Sequence, residues 1–595
     1  MLARRYLLRD RKGRVAETPS QLFARVARAV AKADIRYGAT EEECADTEKR
    51  FLDAMQSLNF LPNSPTLMNA GRENGQLAAC FVVPVTDDTD GIFQAVSWAA
   101  RIQKTGGGTG FSFSSIRPGG DLIVSTGGQA SGPVSFMQVF DVATEAVKQG
   151  GTRRGANMAV LRVDHPDILE FIAVKLSGEK MQNFNLSVGV TDDFMSAVEK
   201  GRDYPLRHPV TGKEVGRLSA ARVFESMVNA AWATGDPGVV FLDTMNASNP
   251  TPELGAFEAT NPCGEQPLLP FESCTLGSIN LAKFVAKDKR DFDWERLGEM
   301  VALGAHFLDN VLDENVYPLE EIATKTRATR KIGLGVMGWA DALIDLGFAY
   351  GSQTARELGD KVAAFVTEES VLASQHLAET RGVFPAYAGS VWAEKGTPMR
   401  NATTTTVAPT GTISIIAGCS SGIEPLFALA FERHVLEGDV LAEFHPALET
   451  VAEAEGCWSS ELKDSVLADG HLGGRSDVPA KIRELFATSH EISVDGHVGM
   501  QAVFQRHVHA AVSKTINLPN SAQPSDVERA YKSAYQSGCK GVTVYRDGSK
   551  ATQVLTSGQQ TTQAISTADC PECSSTLSTG EGCSMCPACG YSVCG

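Results

Sequence analysis

Asn261-Pro262-Cys263-Gly264-Glu265 places a thiol between an amide and a carboxylate on a turn-prone backbone. The Asn-Pro step disfavours a helix at this point, and Gly264 permits a tight turn. Because the three polar residues occupy alternate positions, an extended turn can direct all three side chains towards one side. A loop with no functional role could contain the same residues by chance, but this pattern favours a functional turn tip.

Two more cysteines extend this set. Cys274 follows Cys263 after eleven residues, and Cys80 lies far upstream. Together the segments supply a radical or nucleophilic sulfur, a base, a hydrogen-bonding amide and a two-electron thiol reductant. A lone buried cysteine is usually a small hydrophobe, and taken alone Cys80 would be interpreted as a strand-core residue. The same interpretation applies to the other cysteines outside the tail, namely Cys44, Cys419, Cys457 and Cys539.

The totals exclude several classes of protein. The chain has 595 residues and a net charge of -17, which argues against broad binding to nucleic acid or to membrane surfaces. No run of about eighteen apolar residues predicts a transmembrane helix. The first residues are basic but lack the apolar core of a signal peptide. We therefore expect a cytoplasmic protein whose thiols are reactive or metal-bound rather than disulfide-linked.

The chain divides into four predicted regions. Residues 1–58 form an N-terminal helical region, in which apolar residues recur at helical spacing between Gln21 and Gln56. Residues 59–548 alternate short β-like runs with helical stretches, which is an α/β pattern. Residues 549–568 are rich in Ser, Thr, Gln and Ala and predict a mobile linker. Residues 569–595 form a cysteine-rich tail. Five runs predict strands of the α/β region: 79–85, 110–113, 158–163, 186–191 and 238–242.

Several motifs resemble those of ribonucleotide reductase large subunits, in the order of that family and over nearly the whole chain. Residues 261–265 followed by 274–281 (Cys-Thr-Leu-Gly-Ser-Ile-Asn-Leu) resemble the family's finger loop. Segments 512–519 and 541–548 resemble its coenzyme B12-dependent class II branch. The other matching stretches are residues 61–71, 106–111 and 409–414. The resemblance implies a ten-stranded α/β barrel with a central finger loop.

The resemblance also implies a radical mechanism. In it Cys263 becomes a thiyl radical and takes the 3′ hydrogen atom of a ribonucleotide. Glu265 accepts the proton of the 3′ hydroxyl, and Asn261 holds the hydroxyl or the emerging carbonyl by hydrogen bonds. Cys80 and Cys274 supply two electrons and end as a disulfide, while the 2′ hydroxyl leaves as water.

Nucleotide binding is assigned by the same resemblance. The small residues Pro409-Thr410-Gly411-Thr412-Ile413 have the ingredients of a phosphate cradle, although a structural loop could have the same composition. The family places the substrate phosphates there. Further substrate contacts are expected at Ser64, Ala79 and Gly108, whereas Asp87 and Arg117 resemble ligands of an allosteric effector, a deoxynucleoside triphosphate or ATP.

The source of the radical follows from what the motifs lack. Tyr545 is followed by Arg546 and not by the second tyrosine of a class I relay. Gly590 lies inside a cysteine module and lacks the arginine that precedes a class III glycyl radical. The remaining cofactor is adenosylcobalamin. Asp495-Gly496-His497-Val498-Gly499 misses the glycine spacing of the Asp-x-His-x-x-Gly cobalamin motif of other enzymes, and we interpret it as a surface turn.

The cysteine tail has the spacing of a zinc ribbon. Its paired knuckles predict zinc bound by Cys570, Cys573, Cys586 and Cys589, with Cys583 and Cys594 as a redox shuttle. A second partition is equally compatible with the spacing: zinc on Cys570, Cys573, Cys583 and Cys586, and the shuttle on Cys589 and Cys594. The shuttle would reduce the Cys80–Cys274 disulfide by thiol exchange. A purely structural ribbon is the alternative.

The sequence therefore predicts a vitamin B12-dependent ribonucleoside-diphosphate reductase, although it leaves the choice between diphosphate and triphosphate substrates open. The resemblance implies ribonucleotide substrates, an external dithiol reductant such as a thioredoxin-like protein, and a homodimer. Two other hypotheses are a zinc-ribbon nucleic-acid binder and a paralogue that only senses nucleotides. The acidic charge counts against the first, and the presence of the three finger-loop residues and both partner cysteines counts against the second.

Overall fold

The computed structural model describes most of the chain: residues 2–73, 75–123, 127–150, 155–178, 180–434, 440–549, 578–580, 583–585 and 592–594. It divides into two compact units. One unit comprises Met1–Phe427 and Pro479–Thr552, and the other comprises Ala428–Val478 and Gln553–Gly595. Within the described residues, no helix is both long enough and apolar enough to cross a membrane.

Helices account for much of the chain. In chain order they are α1 Leu2–Arg5, α2 Pro19–Ala31, α3 Glu41–Gln56, α4 Ser64–Asn69, α5 Thr89–Lys104, α6 Gly132–Gly150, α7 Ile168–Ala173, α8 Asp192–Glu199, α9 Ala220–Thr234, α10 Leu242–Ala247, α11 Trp294–Glu314, α12 Glu320–Thr329, α13 Trp339–Leu346, α14 Gln353–Arg381, α15 Val391–Glu394, α16 Ile413–Ala417, α17 Pro446–Ala454, α18 Ser460–Asp469, α19 Ala480–Leu485, α20 Val494–Gln505 and α21 Pro524–Gln536.

The strands are mostly short. In chain order they are β1 Phe60–Pro62, β2 Cys80–Val82, β3 Gly108–Ser112, β4 Leu122–Ile123, β5 Gly128–Gln129, β6 Asn157–Arg162, β7 Phe184–Val190, β8 Asp203–Arg207, β9 Glu214–Ser219, β10 Gly238–Phe241, β11 Ala259–Thr260, β12 Pro267–Leu268, β13 Ser273–Asn280, β14 Ile332–Met337, β15 Ala430–His434, β16 Val440–Phe444, β17 Thr515–Leu518, β18 Gly541–Arg546, β19 Ser578–Gly580, β20 Cys583–Met585 and β21 Ser592–Cys594.

The N-terminal region is helical, as predicted, but it is not one continuous helix. Thr18 caps α2 through a capping box with Gln21, and the helix buries one apolar face. A 3₁₀ turn follows and ends at Gly38, whose left-handed φ of 90° ends the helical backbone before α3 begins at Glu41. The break lets α2 and α3 pack against each other as a pair.

Ten strands form the central sheet, in the order β1-β13-β2-β3-β6-β7-β10-β18-β17, with β14 also paired to β13. The strands β2, β3, β6, β7 and β10 run parallel to one another. At either end of this group the direction reverses, where β2 meets β13 and β10 meets β18. Strand β14 runs parallel to β13, and β17 runs parallel to β18. A parallel group of five strands thus forms the middle of the sheet, with an antiparallel junction at each end, and β1 pairs antiparallel with β13.

An extended segment, residues 403–407, joins the two edges of this sheet. Leu334 of β14 donates its N–H to Thr404 and accepts from the N–H of Thr406. On the other side Val407 donates to Ala511 and accepts from Ser513, shortly before the chain enters β17. These bonds satisfy backbone groups that an open sheet edge would leave unpaired. The result is the predicted ten-stranded barrel.

The burial pattern explains why these residues form these strands. All eight residues of β13 and all six of β14 are buried, as expected for strands covered on both faces. All five predicted strand runs overlap observed strands, namely β2, β3, β6, β7 and β10. The interpretation of residues 495–499 as a surface turn is wrong. They lie in the first turns of α20, capped by Ser493, and His497 is buried with a hydrogen bond to the Ser489 carbonyl.

The second unit contains a hairpin and helices that no sequence pattern separated from the barrel. Strands β15 and β16 pair antiparallel, with Ala430 opposite Phe444. Helices α17 and α18 follow, and each buries apolar side chains such as Leu448 and Leu462.

Candidate functional site

The predicted turn tip at residues 261–265 is the end of a short hairpin. Strands β11 and β12 pair antiparallel, with Thr260 opposite Pro267. Asn261 donates its backbone N–H to the Gln266 carbonyl, and its side-chain oxygen accepts from the Gln266 N–H at 3.0 Å. Gly264 adopts a left-handed φ of 83°. The local sequence therefore closes the loop without help from outside the hairpin.

Two glycines of β3 make room for this hairpin. A Cβ added to Gly110 would lie 1.7 Å from the Thr260 carbonyl oxygen. A Cβ added to Gly108 would lie 2.9 Å from Cγ of Pro262. Real Cβ atoms do not approach other atoms so closely, so both positions require glycine for the hairpin to stay where it is. Gly108, predicted as a substrate contact, thus lies against the hairpin tip.

Residues distant in sequence hold the hairpin tip by its carbonyl groups. Asn185 of β7 donates its side-chain N–H to the Pro262 carbonyl at 2.7 Å. The Glu265 carbonyl accepts from the Ala511 N–H and from the Thr406 hydroxyl, both at 2.9 Å. Asn185 and Thr406 were not predicted from the sequence. Asn185 is one of two polar residues in a largely apolar strand, and Thr406 ends a run of four threonines; neither pattern indicates a contact with the hairpin.

A buried lysine, Lys540, contacts the segment that bonds to the Glu265 carbonyl. Lys540 donates to the carbonyls of His509 at 2.7 Å and Ala510 at 2.6 Å, next to the residue that bonds to Glu265. Burial lowers the pKa of the Lys540 ammonium to about 7. No carboxylate of the described residues lies within ion-pairing distance of it. Lys540 therefore positions the segment that carries Ala511.

The two partner cysteines face each other across adjacent strands. Cys80 of β2 is the direct antiparallel partner of Cys274 of β13. Opposite residues in such a pair have Cα atoms roughly 4.5–5.5 Å apart, which lies within the range of about 4.4–6.8 Å that a disulfide spans. Both thiols are buried, and burial raises the pKa of Cys274 above its ordinary value. The pair is thus placed to give up two electrons by forming a disulfide.

The hairpin tip and the cysteine pair meet. The Asn261 amide donates to the Cys80 sulfur at 3.1 Å, and the Cys80 thiol lies 3.9 Å from a Glu265 carboxylate oxygen. Asn261 and Glu265 are each only 2% exposed, whereas Cys263 at the tip is exposed. The structure therefore brings the amide, the carboxylate and the buried thiol together and leaves the thiol of Cys263 open to a large reactant.

The predicted phosphate segment follows directly on the cysteine pair. Ala408 packs in one apolar cluster with Cys80, Cys274 and, at its margin, Ala79.

The backbone of the predicted phosphate segment turns at Thr410, whose φ is 52° and whose hydroxyl accepts from the Gly422 N–H at 2.7 Å. Three more of the predicted residues follow: Gly411, which has open space where a Cβ would be, Thr412, which precedes α16 without a side-chain capping bond, and Ile413, which begins it. Pro409, the first of the predicted set, is half-buried.

Ser64 begins a helix, and Ala79 lies just before strand β2. Ser64 is the first residue of α4, and its hydroxyl lies 2.8 Å from the Tyr6 hydroxyl. Ala79 accepts a hydrogen bond from the Gly108 N–H and donates its own N–H to the Cys274 carbonyl. The described contacts therefore place Ala79 beside the cysteine pair and Ser64 beside the N-terminal segment.

The two predicted effector residues contact each other. The Asp87 carboxylate accepts from the Arg117 backbone N–H at 3.0 Å and from its guanidinium at 2.7 Å. The side chains are 17% and 30% exposed, so a ligand could reach both. The family resemblance predicted both residues as effector ligands but did not predict this ion pair.

The zinc assignment falls mostly outside the described residues. Cys570, Cys573, Cys586 and Cys589 lie there, so the structure provides no placement for them. Cys583 and Cys594 are described as backbone, and they are opposite partners on the antiparallel strands β20 and β21. Among the side chains that are described, no group of three or more His, Cys, Asp or Glu residues has a metal-binding arrangement.

Comparisons with known proteins agree on one family. The barrel-domain model of ribonucleotide reductase matches residues 78–399 and 394–545, and the family's all-alpha domain model matches residues 1–75. A vitamin B12-dependent ribonucleoside-diphosphate reductase of Thermoplasma acidophilum is 48% identical, over 91% of this chain and 78% of that protein. A protein of the same name from Mycobacterium tuberculosis is 49% identical with the same coverage. The solved Actinobacillus ureae class Id ribonucleotide reductase alpha subunit, at 24% identity, has the same fold, with a TM-score of 0.75 over 92% of this chain and 96% of that one.

Proposed function

The chain belongs to the ribonucleotide reductase family, and from that premise we propose that it is a vitamin B12-dependent ribonucleoside-diphosphate reductase that makes 2′-deoxyribonucleotides for DNA synthesis. One observation carries the proposal: an exposed cysteine at the tip of a barrel-enclosed hairpin, with a buried cysteine pair behind it. The names of the relatives at 48% and 49% identity support the same reaction and the same cofactor.

The residues of the hairpin fit a cobalamin cofactor in one respect. A cofactor of that size can meet only a thiol that it can reach, and Cys263 is exposed whereas Cys80 and Cys274 are buried. Bound cobalamin would supply the radical that removes the hydrogen atom from the Cys263 thiol. Cys263 then takes the 3′ hydrogen atom of the ribonucleotide and returns a hydrogen atom at the end of the reaction.

The buried residues around Cys263 handle the protons and the electrons. Glu265 accepts the 3′ hydroxyl proton, and Asn261 holds the oxygen at that carbon. The 2′ carbon–oxygen bond breaks, and the oxygen leaves as water. Cys80 and Cys274 give up two protons and two electrons, and a sulfur–sulfur bond forms between them. One ribonucleotide and two thiols thus become one deoxyribonucleotide, one disulfide and one water.

Other features of the proposal rest on the family resemblance. Residues 409–413 bind the substrate phosphates, and Ser64, Ala79 and Gly108 line the substrate site. Asp87 and Arg117 bind a deoxynucleoside triphosphate or ATP as an effector. Their ion pair then either breaks or stays formed while both side chains contact the effector. The tail binds Zn²⁺ through four of its cysteines and shuttles electrons from an external dithiol. The protein acts as a cytoplasmic homodimer.

Cofactor dependence tests the function directly. We expect the purified chain to reduce ribonucleoside diphosphates with dithiothreitol when adenosylcobalamin is added and no second subunit is present. The amount of deoxynucleoside formed per enzyme active site is measured by chromatography. The matched control replaces adenosylcobalamin with hydroxocobalamin, which cannot start the radical. Equal product with and without adenosylcobalamin would contradict the proposal, and ribonucleoside triphosphates in a parallel series would reveal the preferred substrate.

The cysteine pair makes a second prediction. In Cys80→Ser or Cys274→Ser, only one thiol remains, so no disulfide can form and steady-state turnover with dithiothreitol should fall at least about 100-fold. Cys539→Ser, at a buried cysteine outside the site, is the matched control and should keep normal turnover. Steady-state rates near wild type in either pair variant would remove the dithiol assignment.

A further inference from the structure

A buried ion pair lies beside the cysteine pair, and the reaction as proposed does not use it. Lys331 and Glu272 are each only 1% exposed, and the Lys331 ammonium lies 2.5 Å from a Glu272 carboxylate oxygen. The carboxylate also accepts from the Thr329 hydroxyl and from the Leu269 N–H, both at 2.8 Å. The ammonium lies over the Phe257 ring, 4.6 Å from its centre. Every contact of the pair is therefore fixed by neighbours in the core.

Stability is a weak explanation for such a pair. Removing two charges from water costs as much as their attraction returns, so apolar side chains of the same volume often serve a core equally well. A charged pair that persists in a core therefore calls for an additional reason. Its position relative to Cys274 suggests one.

Glu272 is close to Cys274 along the chain, whereas Lys331 is 57 residues away and is brought next to it by the fold. Glu272 precedes Cys274 by two residues, and its carbonyl continues the ladder with β2 by accepting from the Val82 N–H. Side chains two residues apart on an extended strand share a face. The Cys274 sulfur lies 3.6 Å from the Lys331 carbonyl oxygen. The pair and the thiol therefore belong to one cluster.

The charges around Cys274 have opposite effects. Burial is the largest influence and raises the pKa of the thiol. Lys331 lowers this pKa, whereas Glu272 and Glu265 raise it. The other titratable group that faces Cys274 is its partner, Cys80. Lys331 is thus the one cation among these groups, and it favours a negative charge on Cys274.

A negative charge forms on one cysteine whenever the disulfide is reduced. An external thiolate attacks one sulfur, and the other sulfur leaves as a thiolate with the electron pair of the broken bond. Cys80 is the less buried of the two cysteines, at 3% against 0% exposed, and its sulfur lies at the hairpin tip against Asn261 and Glu265, so we take it as the sulfur that is attacked. Cys274, which is fully buried, is then the leaving thiolate.

We propose that Lys331, held in place by Glu272, stabilises the Cys274 thiolate that leaves when an external dithiol reduces the Cys80–Cys274 disulfide. The step rests on the proposed function and balances with the external dithiol as reductant. Its first sulfur bonds to Cys80 while the Cys80–Cys274 bond breaks. Its second sulfur then displaces Cys80, and the external disulfide departs. The two protons that the dithiol loses end on Cys80 and Cys274. Lys331 and Glu272 are positioning residues, since they act through Cys274.

The test measures disulfide reduction apart from nucleotide chemistry. Each protein completes one turnover without reductant, is separated from nucleotides and receives dithiothreitol. Acid quenching, alkylation and mass spectrometry then follow the loss of the Cys80–Cys274 disulfide. The variants are Glu272→Gln and the double variant Glu272→Gln/Lys331→Met. The double variant removes the cation without leaving a buried carboxylate unmatched. Glu424→Gln/Lys514→Met, at another largely buried ion pair, is the matched control.

The two variants have opposite expected effects. Glu272→Gln removes a negative charge near Cys274, while the glutamine side-chain oxygen can still accept from the Lys331 ammonium and keep it in place, so this variant should reduce at least as fast as wild type. The double variant should reduce about tenfold more slowly than Glu272→Gln, because a leaving thiol of higher pKa leaves more slowly. The control pair should reduce at the wild-type rate. The amount of deoxynucleotide formed in the first turnover should equal that of wild type in all three variants. A substitution that only damaged the fold would lower that amount.

Three results would overturn the inference. In the first, the double variant matches Glu272→Gln in rate. In the second, Glu272→Gln is slower than wild type, and this comparison decides the matter even if the double variant does not fold. In the third, the control pair slows reduction as much as the double variant does. Failure of the proposed function looks different: wild-type protein would then form no deoxynucleotide and no new disulfide, either at Cys80–Cys274 or in the tail.

Discussion

Cys263→Ser is expected to form no detectable deoxynucleotide, at least about 10³-fold below wild type. The serine hydroxyl has nearly the size and position of the thiol, so the hairpin should keep its shape. Its O–H bond is stronger than the S–H bond, and the oxygen therefore cannot carry the radical to the substrate. The loss should appear in kcat, whereas nucleotide binding, measured by equilibrium dialysis with a ribonucleoside diphosphate, should be unchanged.

A cysteine outside the site provides the control for this substitution. Cys44 is half-buried on α3, and its thiol donates to the Ala31 carbonyl, which a serine hydroxyl can also do. Cys44→Ser should therefore keep full activity. Deoxynucleotide formation by Cys263→Ser at a measurable fraction of the wild-type rate would exclude Cys263 as the radical carrier, and the hairpin would need another role.

The sequence predicted the parts of this site that lie close together along the chain. The turn at residues 261–265 closes through bonds between Asn261 and Gln266, so its local residues suffice to predict it. The pairing of Cys80 with Cys274 came only from the family resemblance, because no local pattern links strands so far apart. The structure places them opposite each other in one ladder.

Contacts between distant segments were beyond sequence reasoning. Thr406 and Asn185 hold the carbonyls of the hairpin tip, but each lies many residues away and in an ordinary-looking strand or segment. Lys331 gave no signal either, because a lysine is normally solvated and only the fold buries it against Glu272. Such residues are identified by which segments the barrel brings together.

The role of the glycines in β3 also could not be predicted from the local sequence. A run of glycines such as Gly106-Gly107-Gly108 favours a turn, since glycine commonly interrupts regular structure. In the structure Gly108 begins β3, and Gly110 lies within it. Their missing side chains serve the close approach of the hairpin, not a change in chain direction. Packing against a partner thus overrode the local meaning of glycine.

Gly110→Ala should accordingly lower kcat by about 100-fold, because a displacement of about 1 Å in a reacting group can cost that much. The added Cβ would lie 1.7 Å from the Thr260 carbonyl oxygen, so one of the two segments has to move. Strand β3 is held between β2 and β6 by parallel ladders, whereas β11 and β12 pair through only two residues each. The hairpin is therefore the part that shifts, and Cys263 shifts with it.

A graded series separates this effect from the general cost of replacing a strand glycine. Gly108→Ala meets only the Pro262 ring, at 2.9 Å, and should have a smaller effect on kcat. Gly216→Ala, in β9, meets nothing closer than a Leu206 methyl carbon at 3.8 Å and should leave kcat unchanged. Steady-state kinetics and thermal unfolding of the three variants give the comparison. If the loss of kcat followed the loss of melting temperature, the position of the hairpin would not control the reaction. If instead all three variants fold and kcat falls most in Gly110→Ala, less in Gly108→Ala and not in Gly216→Ala, then the position at which the barrel holds the Cys263 sulfur sets the rate.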